Sequence, residues 1–391
     1  MGGLIMASTI NADTTNGVVV TSDTSGEIEL QSAGVTKAKV TSSGLQNASG
    51  VAITAQSGKN LIINGNMAIA QRGTSFSAST SALYCLDRFY YISVAGAGGS
   101  VYTITQDTDA PSGFSNSLKI DVATADTSIA ANEGTQIEHR IEGQNLQQLA
   151  FGTSDAKSLT LSFWVKSNKT GTYVARLLQP DASSRMISQA YTISSANTWE
   201  KKTITVSGDT SGVINDDNGA GLHITWWLTA GTDYQSGSMP TDWQSYSNGD
   251  TAVGQVNLAD STSNYLNIAG VQLETGTTAT PFEHLQYGQQ LALCQRYFQV
   301  IGGGKPSAAI FGGDASSTSN VYTHIPLFGG SMRSSPTVTE EGSFNTLNIG
   351  SRSFDYLNTM SISLRVSPNG AGRYYIELDS SDDRILLSSE L

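Results

Sequence analysis

Short stretches of alternating apolar and polar residues, cut apart by Gly, Ser, Asn and Asp, run through most of the chain, and this period of two restricts it to sheets. Between Leu83 and Glu283 the alternation predicts strands near 101–106, 117–123, 134–142, 158–166, 172–179, 188–194, 200–207, 221–229 and 264–274. No long helical period separates them, so the expected fold class is all-β, with a central antiparallel β-sandwich or jelly roll. Only QNLQQLA (144–150) and YGQQLALCQRYF (287–298) carry a helical pattern. In the second, Leu291, Cys294, Gln295 and Phe298 recur at helical spacing, and the helix is expected to stop before the glycines of IGGG. Beyond that run, NVYTHIPLF, MSISLRVS, RYYIELD and RILLSS predict a separate small β domain.

The first 59 residues are repetitive. GVVVTSD, GEIELQSA, GVTKAKVTSS, GLQNAS and GVAITAQS each open with Gly and run through a short alternating stretch. Units this small remove too little apolar area from water to hold a face by themselves, so identical chains or a larger partner must supply the missing layer. The alternative is a Ser/Thr-rich linker. Against it, Val18, Val20, Ile28, Leu30, Val40, Val51 and Ile53 keep a period of two inside their units. The expected organisation is 1–59, 60–298 and 299–391.

Charge excludes some functions. Only 14% of residues are charged and the net charge is -12, which disfavours nucleic acid and anionic membrane as partners, because phosphate binding needs a basic stripe. No apolar run reaches the length of a membrane span. The start, MGGLIMASTINADTT, lacks the n- and h-regions of a secretory signal, so synthesis in the cytoplasm without a cleaved leader is expected, with Met1 or Met6 as initiator. Cys85 and Cys294 form no CxxC pair, and buried thiols are expected rather than a bridge.

Strand faces carry the candidate chemistry. In SLTLSFWVK, Leu159, Leu161, Phe163 and Val165 point one way and Trp164 the other; in LHITWWLT, Leu222, Ile224, Trp226 and Leu228 oppose His223, Thr225 and Trp227. A tryptophan among hydroxyls on a sheet face suits a sugar, which offers an apolar C–H face and polar rims. Trp164, Trp227, His223 and Trp243 are therefore the candidate glycan-binding residues, against burial under a loop or neighbouring subunit. Asp216 and Asp217 of NDDNG offer hard oxygen ligands for Ca²⁺, but without the spacing of a calcium loop; a solvated turn and no cofactor is the expectation. His139 shares a face with Ile137 and Ile141 and reads as a satisfied, partly buried residue. No nucleophile elbow or phosphate loop is present. Glu138, Asp242 and Glu274 are the imaginable acids of a glycosidase, and nothing singles them out, so no enzymatic activity is expected.

The blocks NLIINGNMAIAQRGTSF, YCLDRFYY, IEGQNLQQLAFGTSDAKSLTLSFWVKSNKTGTY, NTWEKKTITVSGDT and GVQLETGTTATPFEHLQYGQQLALCQRYF resemble those of tail-fibre and other virion proteins of tailed bacteriophages, marine ones especially. The leading STINADTTNGVVVTSDTSGEIELQSAG is similar to the N-terminal segment of many such proteins. The resemblance implies a carbohydrate-binding-module-like jelly roll over 60–298, a homotrimer, and a C-terminal region that varies among members. The expected role is a tail fibre or spike in the virion, gripping tail or adaptor proteins through 1–59 and binding host-surface polysaccharide. A capsid or tail decoration protein and a glycan-degrading tailspike are the alternatives. Within NLIINGNMAIAQRGTSF, Leu61–Ile63 is expected to be a short strand, Asn64-Gly65 a tight turn, Met67 and Ile69 core residues, and Arg72 a partner for Asp87.

Overall fold

The computed structural model describes residues 28–32, 35–41, 44–48, 58–94, 99–303, 309–327 and 329–391. The repeat units GVVVTSD and GVAITAQS lie outside them. The chain divides into two compact units, Met1–Ser57 and Gly58–Leu391.

In the first, β1 (Ile28–Ser32), β2 (Val35–Thr41) and β3 (Gly44–Asn47) form an antiparallel meander. Ile28 stands opposite Val40, Val40 opposite Leu45 and Leu30 opposite Ala38, so these apolar side chains share a face. Three strands cannot close over it, and Leu30, Val40 and Leu45 stay 50%, 40% and 43% exposed.

The second unit begins with the sandwich strands β4 (Ser75–Ala78), β5 (Leu83–Tyr84), β6 (Phe89–Val94), β7 (Val101–Asp107), β8 (Ser117–Thr124), β9 (Gly134–Glu142), β10 (Leu159–Ser167), β11 (Gly171–Gln179), β12 (Arg185–Ile193), β13 (Glu200–Val206), β14 (Ala220–Ala230), β15 (Gln244–Ser245) and β16 (Tyr265–Thr275). They pair into a six-stranded sheet, β13-β10-β16-β8-β7-β4, and a seven-stranded sheet, β15-β12-β11-β14-β9-β6-β5. The architecture is all-β and of the jelly-roll type. All nine expected strands form, because their alternation matches a sheet with one face in the core and one outside. The core lies between the sheets, Ile104, Leu118 and Ile268 from one meeting Phe89, Ile137 and Leu177 from the other. Phe163 and Trp226 cross the gap edge to face, with centroids 5.8 Å apart.

The helical expectations are only partly realised. Helix α1 spans Tyr287–Gln295, and Phe298 already starts a strand. Residues 144–150 form two 3₁₀ turns, Gly143–Asn145 and Gln147–Leu149. The backbone N–H groups of Gly143 and Gln144 donate to Gly219 and Asp217 carbonyls, and Ala150 turns left-handed at φ 52, so no α-helix propagates.

The leading segment docks without becoming a strand. Leu61 N–H donates to Leu273 O and Val271 N–H to Gly65 O, but no ladder forms over 61–63. Asn64 takes φ 61, and its side chain is wholly buried: Oδ1 accepts from Ile69 N–H, while Nδ2 donates to Ile69 O and Asp87 O. Gly65 is required by space, since a Cβ there would come within 2.0 Å of Val271 O. Met67 and Ile69 are buried as expected. Arg72 lies 3.9 Å from Asp87, whose oxygens are taken by Gln71, and closes at 2.8 Å on Glu390 instead.

After α1 come β17 (Phe298–Gly302), β18 (Ala309–Ala315), β19 (Val321–Pro326), β20 (Thr337–Glu341), β21 (Phe344–Leu347), β22 (Ile349–Asp355), β23 (Ser361–Pro368), β24 (Gly372–Leu378) and β25 (Arg384–Ser388), in three three-stranded sheets around their own apolar cluster. β17 pairs with β25 before the glycines of IGGG are passed, and residues 389–391 return to the sandwich, where Tyr84 and Arg140 donate to Leu391 O.

Candidate functional site

The outer face of the seven-stranded sheet carries a polar patch built by strand register. On β14, Leu222, Ile224, Trp226 and Leu228 enter the core, which sends His223, Thr225 and Trp227 outward. Trp227 stands opposite Gln136 of β9, and Thr225 stands between Glu138 of β9 and Arg176 of β11. His223 lies opposite Arg140. Amide, carboxylate, imidazole and two guanidiniums thus meet on one surface.

Glu138 is the electrostatic hub. It accepts from Arg140 Nε at 2.6 Å, its Oε1 lies 3.2 Å from His223 Nδ1, and its Oε2 takes the Thr225 hydroxyl at 3.3 Å. Burial opposes ionisation, but His223 and Arg140 outweigh it and hold the carboxyl at about 2. Arg176 is further away: Nη2 lies 3.9 Å from Glu138 and donates to Thr225 Oγ1 at 3.2 Å.

Beside this hub opens a cleft of about 370 Å³ lined by Gln136, Arg176, Trp227, Tyr234, Tyr246 and Asn248 among others. Its walls are tied down. Ala252 N–H donates to Tyr234 O, Tyr246 N–H to Ser184 O, and Asp250 accepts from Ser238 N–H and Gln244 Nε2. The Arg176 guanidinium carbon is 5.7 Å from the Trp227 ring centre and 5.8 Å from that of Tyr246. Gly134 makes room for the indole, because a Cβ there would stand 2.7 Å from it. Arg176 Nε, Gln136 Oε1, Trp227 Nε1 and, next to the cleft, His223 Nε2 are covered and have no protein partner. Each unmet group costs about 1–3 kcal/mol, and four on one face are unusual.

The four residues expected to bind glycan do not form one site. Trp227 and His223 share this face. Trp164 is half-buried on β10 in the other sheet, opposite Lys201 and Ala269. Trp243 packs in the main core edge to face on Phe151 at 5.5 Å and donates Nε1 to Ser207 O at 2.8 Å. An open stacking surface on Trp227 is corrected: the ring is 1% exposed, because Val174, Ala230, Tyr234 and Ala252 close around it. The accessible aromatic is Tyr246, 40% exposed. Sequence reading passed over Arg176, Gln136, Tyr234 and Tyr246. Arg176 was within reach, as the lone charge in the apolar run of TYVARLLQ; the tyrosines arrive on loops that only folding brings over β14.

Asp216 and Asp217 lie in an exposed turn that Asp217 Oδ1 caps on Gly219 N–H, and among the described residues no three His, Cys, Asp or Glu groups gather as a metal site. His139 is fully buried, sharing a hydrogen bond at 3.1 Å between Nε2 and Ile63 O and leaving Nδ1 without a protein partner. Cys85 and Cys294 are free and buried. Glu138 and Glu274 sit on opposite sheets, and Glu274 accepts from Thr280 and Gln272.

No protein-family model and no curated protein matches the chain. Among solved structures it is similar to the enzymatically active domain of tailspike protein 4 of bacteriophage CBA120, at 15% identity and TM-score 0.28, over 56% of this chain and 22% of that one. It is also similar to TmCBM61, solved with β-1,4-galactotriose, at 9% identity and TM-score 0.28, over 56% and 99% of the two chains. A third is the C-terminal family 22 carbohydrate-binding module of Clostridium thermocellum Xyn10B, at 11% identity and TM-score 0.27, over 48% and 88%. The chain spans about a fifth of the length of the tailspike domain.

Proposed function

We propose that the chain is an adhesive structural protein of a phage virion, a tail fibre or spike that holds a host-surface glycan in the cleft above Trp227. The cleft carries this reading: covered polar atoms without protein partners surround a space bordered by tyrosine, as recognition of sugar hydroxyls and C–H faces requires. The phage assignment draws on the resemblance of the sequence blocks over 60–298.

The role is binding rather than hydrolysis. A general acid needs a raised pKa, and Glu138 is held low by its partners. Affinity per site is modest, and several copies on one particle multiply it. Residues 1–59 grip tail or adaptor proteins. The open face of Ile28, Leu30, Ala38, Val40 and Leu45 fits coverage by sister chains in a homotrimer.

Two measurements test this. Native mass spectrometry is expected to give three times 41.2 kDa; a stable monomer overturns the trimer. On a glycan array, Tyr246→Ala is expected to lose about tenfold in affinity, for one lost stacking contact, with an unchanged melting temperature. Equal binding by the variant and wild type removes the cleft as the site.

A further inference from the structure

The geometry points to a carboxylate-bearing sugar, such as a uronic or sialic acid residue, as the ligand of the cleft, with Arg176 as the residue that selects it. This rests on the glycan-binding reading above and names the chemical class within it.

Arg176 is the one charged side chain lining the cleft among the described residues, and it is 5% exposed. A guanidinium so placed normally has its own carboxylate. The nearest, Glu138, is committed to Arg140 at 2.6 Å and His223 at 3.2 Å and stands 3.9 Å from Arg176 Nη2. Among the described residues Arg176 thus has no ion pair shorter than 3.9 Å, which leaves its charge beside the cleft. Acids at the rim do not cancel it: Asp250 is turned to Ser238 and Gln244, and Asp233 is exposed in the turn before Tyr234.

Arg176 also keeps unused hydrogen-bonding capacity. Nη2 leans on the Thr225 hydroxyl, and Nε has no protein partner. Nε–H and an adjacent Nη–H form a planar fork that matches a carboxylate in two bonds. Gln136 Oε1 remains to accept a sugar hydroxyl. The whole chain carries -12, so its long-range field repels polyanions. A preference for acidic glycan must therefore arise at this local charge.

The test uses immobilised polygalacturonate, alginate and polysialic acid, each paired with the same polymer after its carboxyls are reduced to alcohols, with dextran sulfate as the other anion. At least one carboxylated polymer is expected to bind about tenfold tighter than its reduced partner, and to weaken as salt rises. Arg176→Lys, which keeps the charge but loses the fork, is expected to cost a similar factor; if that variant does not fold, the paired polymers and the salt series decide on wild type alone. Tighter binding to the reduced polymers, still lost in Tyr246→Ala, overturns the acidic ligand and leaves the cleft as a neutral-glycan site. Tighter binding to dextran sulfate overturns the carboxylate assignment. Binding to none of them overturns both readings.

Discussion

Glu390→Ala is expected to destabilise the second unit by about 3–5 kcal/mol, read as a lower urea midpoint, because it strands a buried charge. Arg88 is 1% exposed, and its Nη1 pairs with Glu390. Arg72 shares the same carboxylate at 2.8 Å, and among the described residues its only other acidic partner is Asp87 at 3.9 Å. Both guanidiniums are stacked on aromatics, Arg88 3.5 Å from the Tyr297 ring centre and Arg72 3.6 Å from that of Phe298, so neither can turn to water. Arg333 holds the same segment, donating to Ser389 O at 2.6 Å and Glu390 O at 2.8 Å. Glu390→Gln keeps the shape and removes the charge, and should lie between wild type and alanine. A midpoint unchanged in both variants would mean that residues 389–391 do not fasten the C-terminal strands to the sandwich.

Acid is the second large effect. Burial, and then the nearby charge of Arg88, lower the His139 pKa from 6.5 to about 3. The unfolded chain therefore binds a proton that the folded one refuses, and stability falls as pH drops below 6.5 toward 3. The expected loss is roughly 2–3 kcal/mol by pH 4.5. Glu138, lowered to about 2 from 4.5, adds a second loss of the same sign, confined below pH 4.5. His139→Gln can keep the donor to Ile63 O without titrating. Its urea midpoint should stay nearly flat from pH 7 to 4.5 while that of wild type declines; parallel curves would assign the acid sensitivity elsewhere.

Alternation predicted where β9, β10, β14 and β16 run and which of their residues face inward, His139 included. That information is local: a period of two places Trp226 in and Trp227 out whatever the partners are. What Trp227 meets outside is not local. Tyr234 and Ala252 reach it from outside the strands, Val174 packs on it from β11, Gly134 clears space from β9, and Arg176 comes from a strand some fifty positions away. The tryptophan expected to be an open platform is covered for that reason. Likewise, Asp87 is the acid close to Arg72 in sequence, while the shortest ion pair of Arg72 is with Glu390.

The sequence by itself determined the sheets, their inner faces and the low charge density of this protein, because these follow from side-chain period and composition. Only the tertiary structure decided which outward residues share a cleft and which carboxylate each arginine receives. Register and long-range docking bring together groups that no local spacing relates.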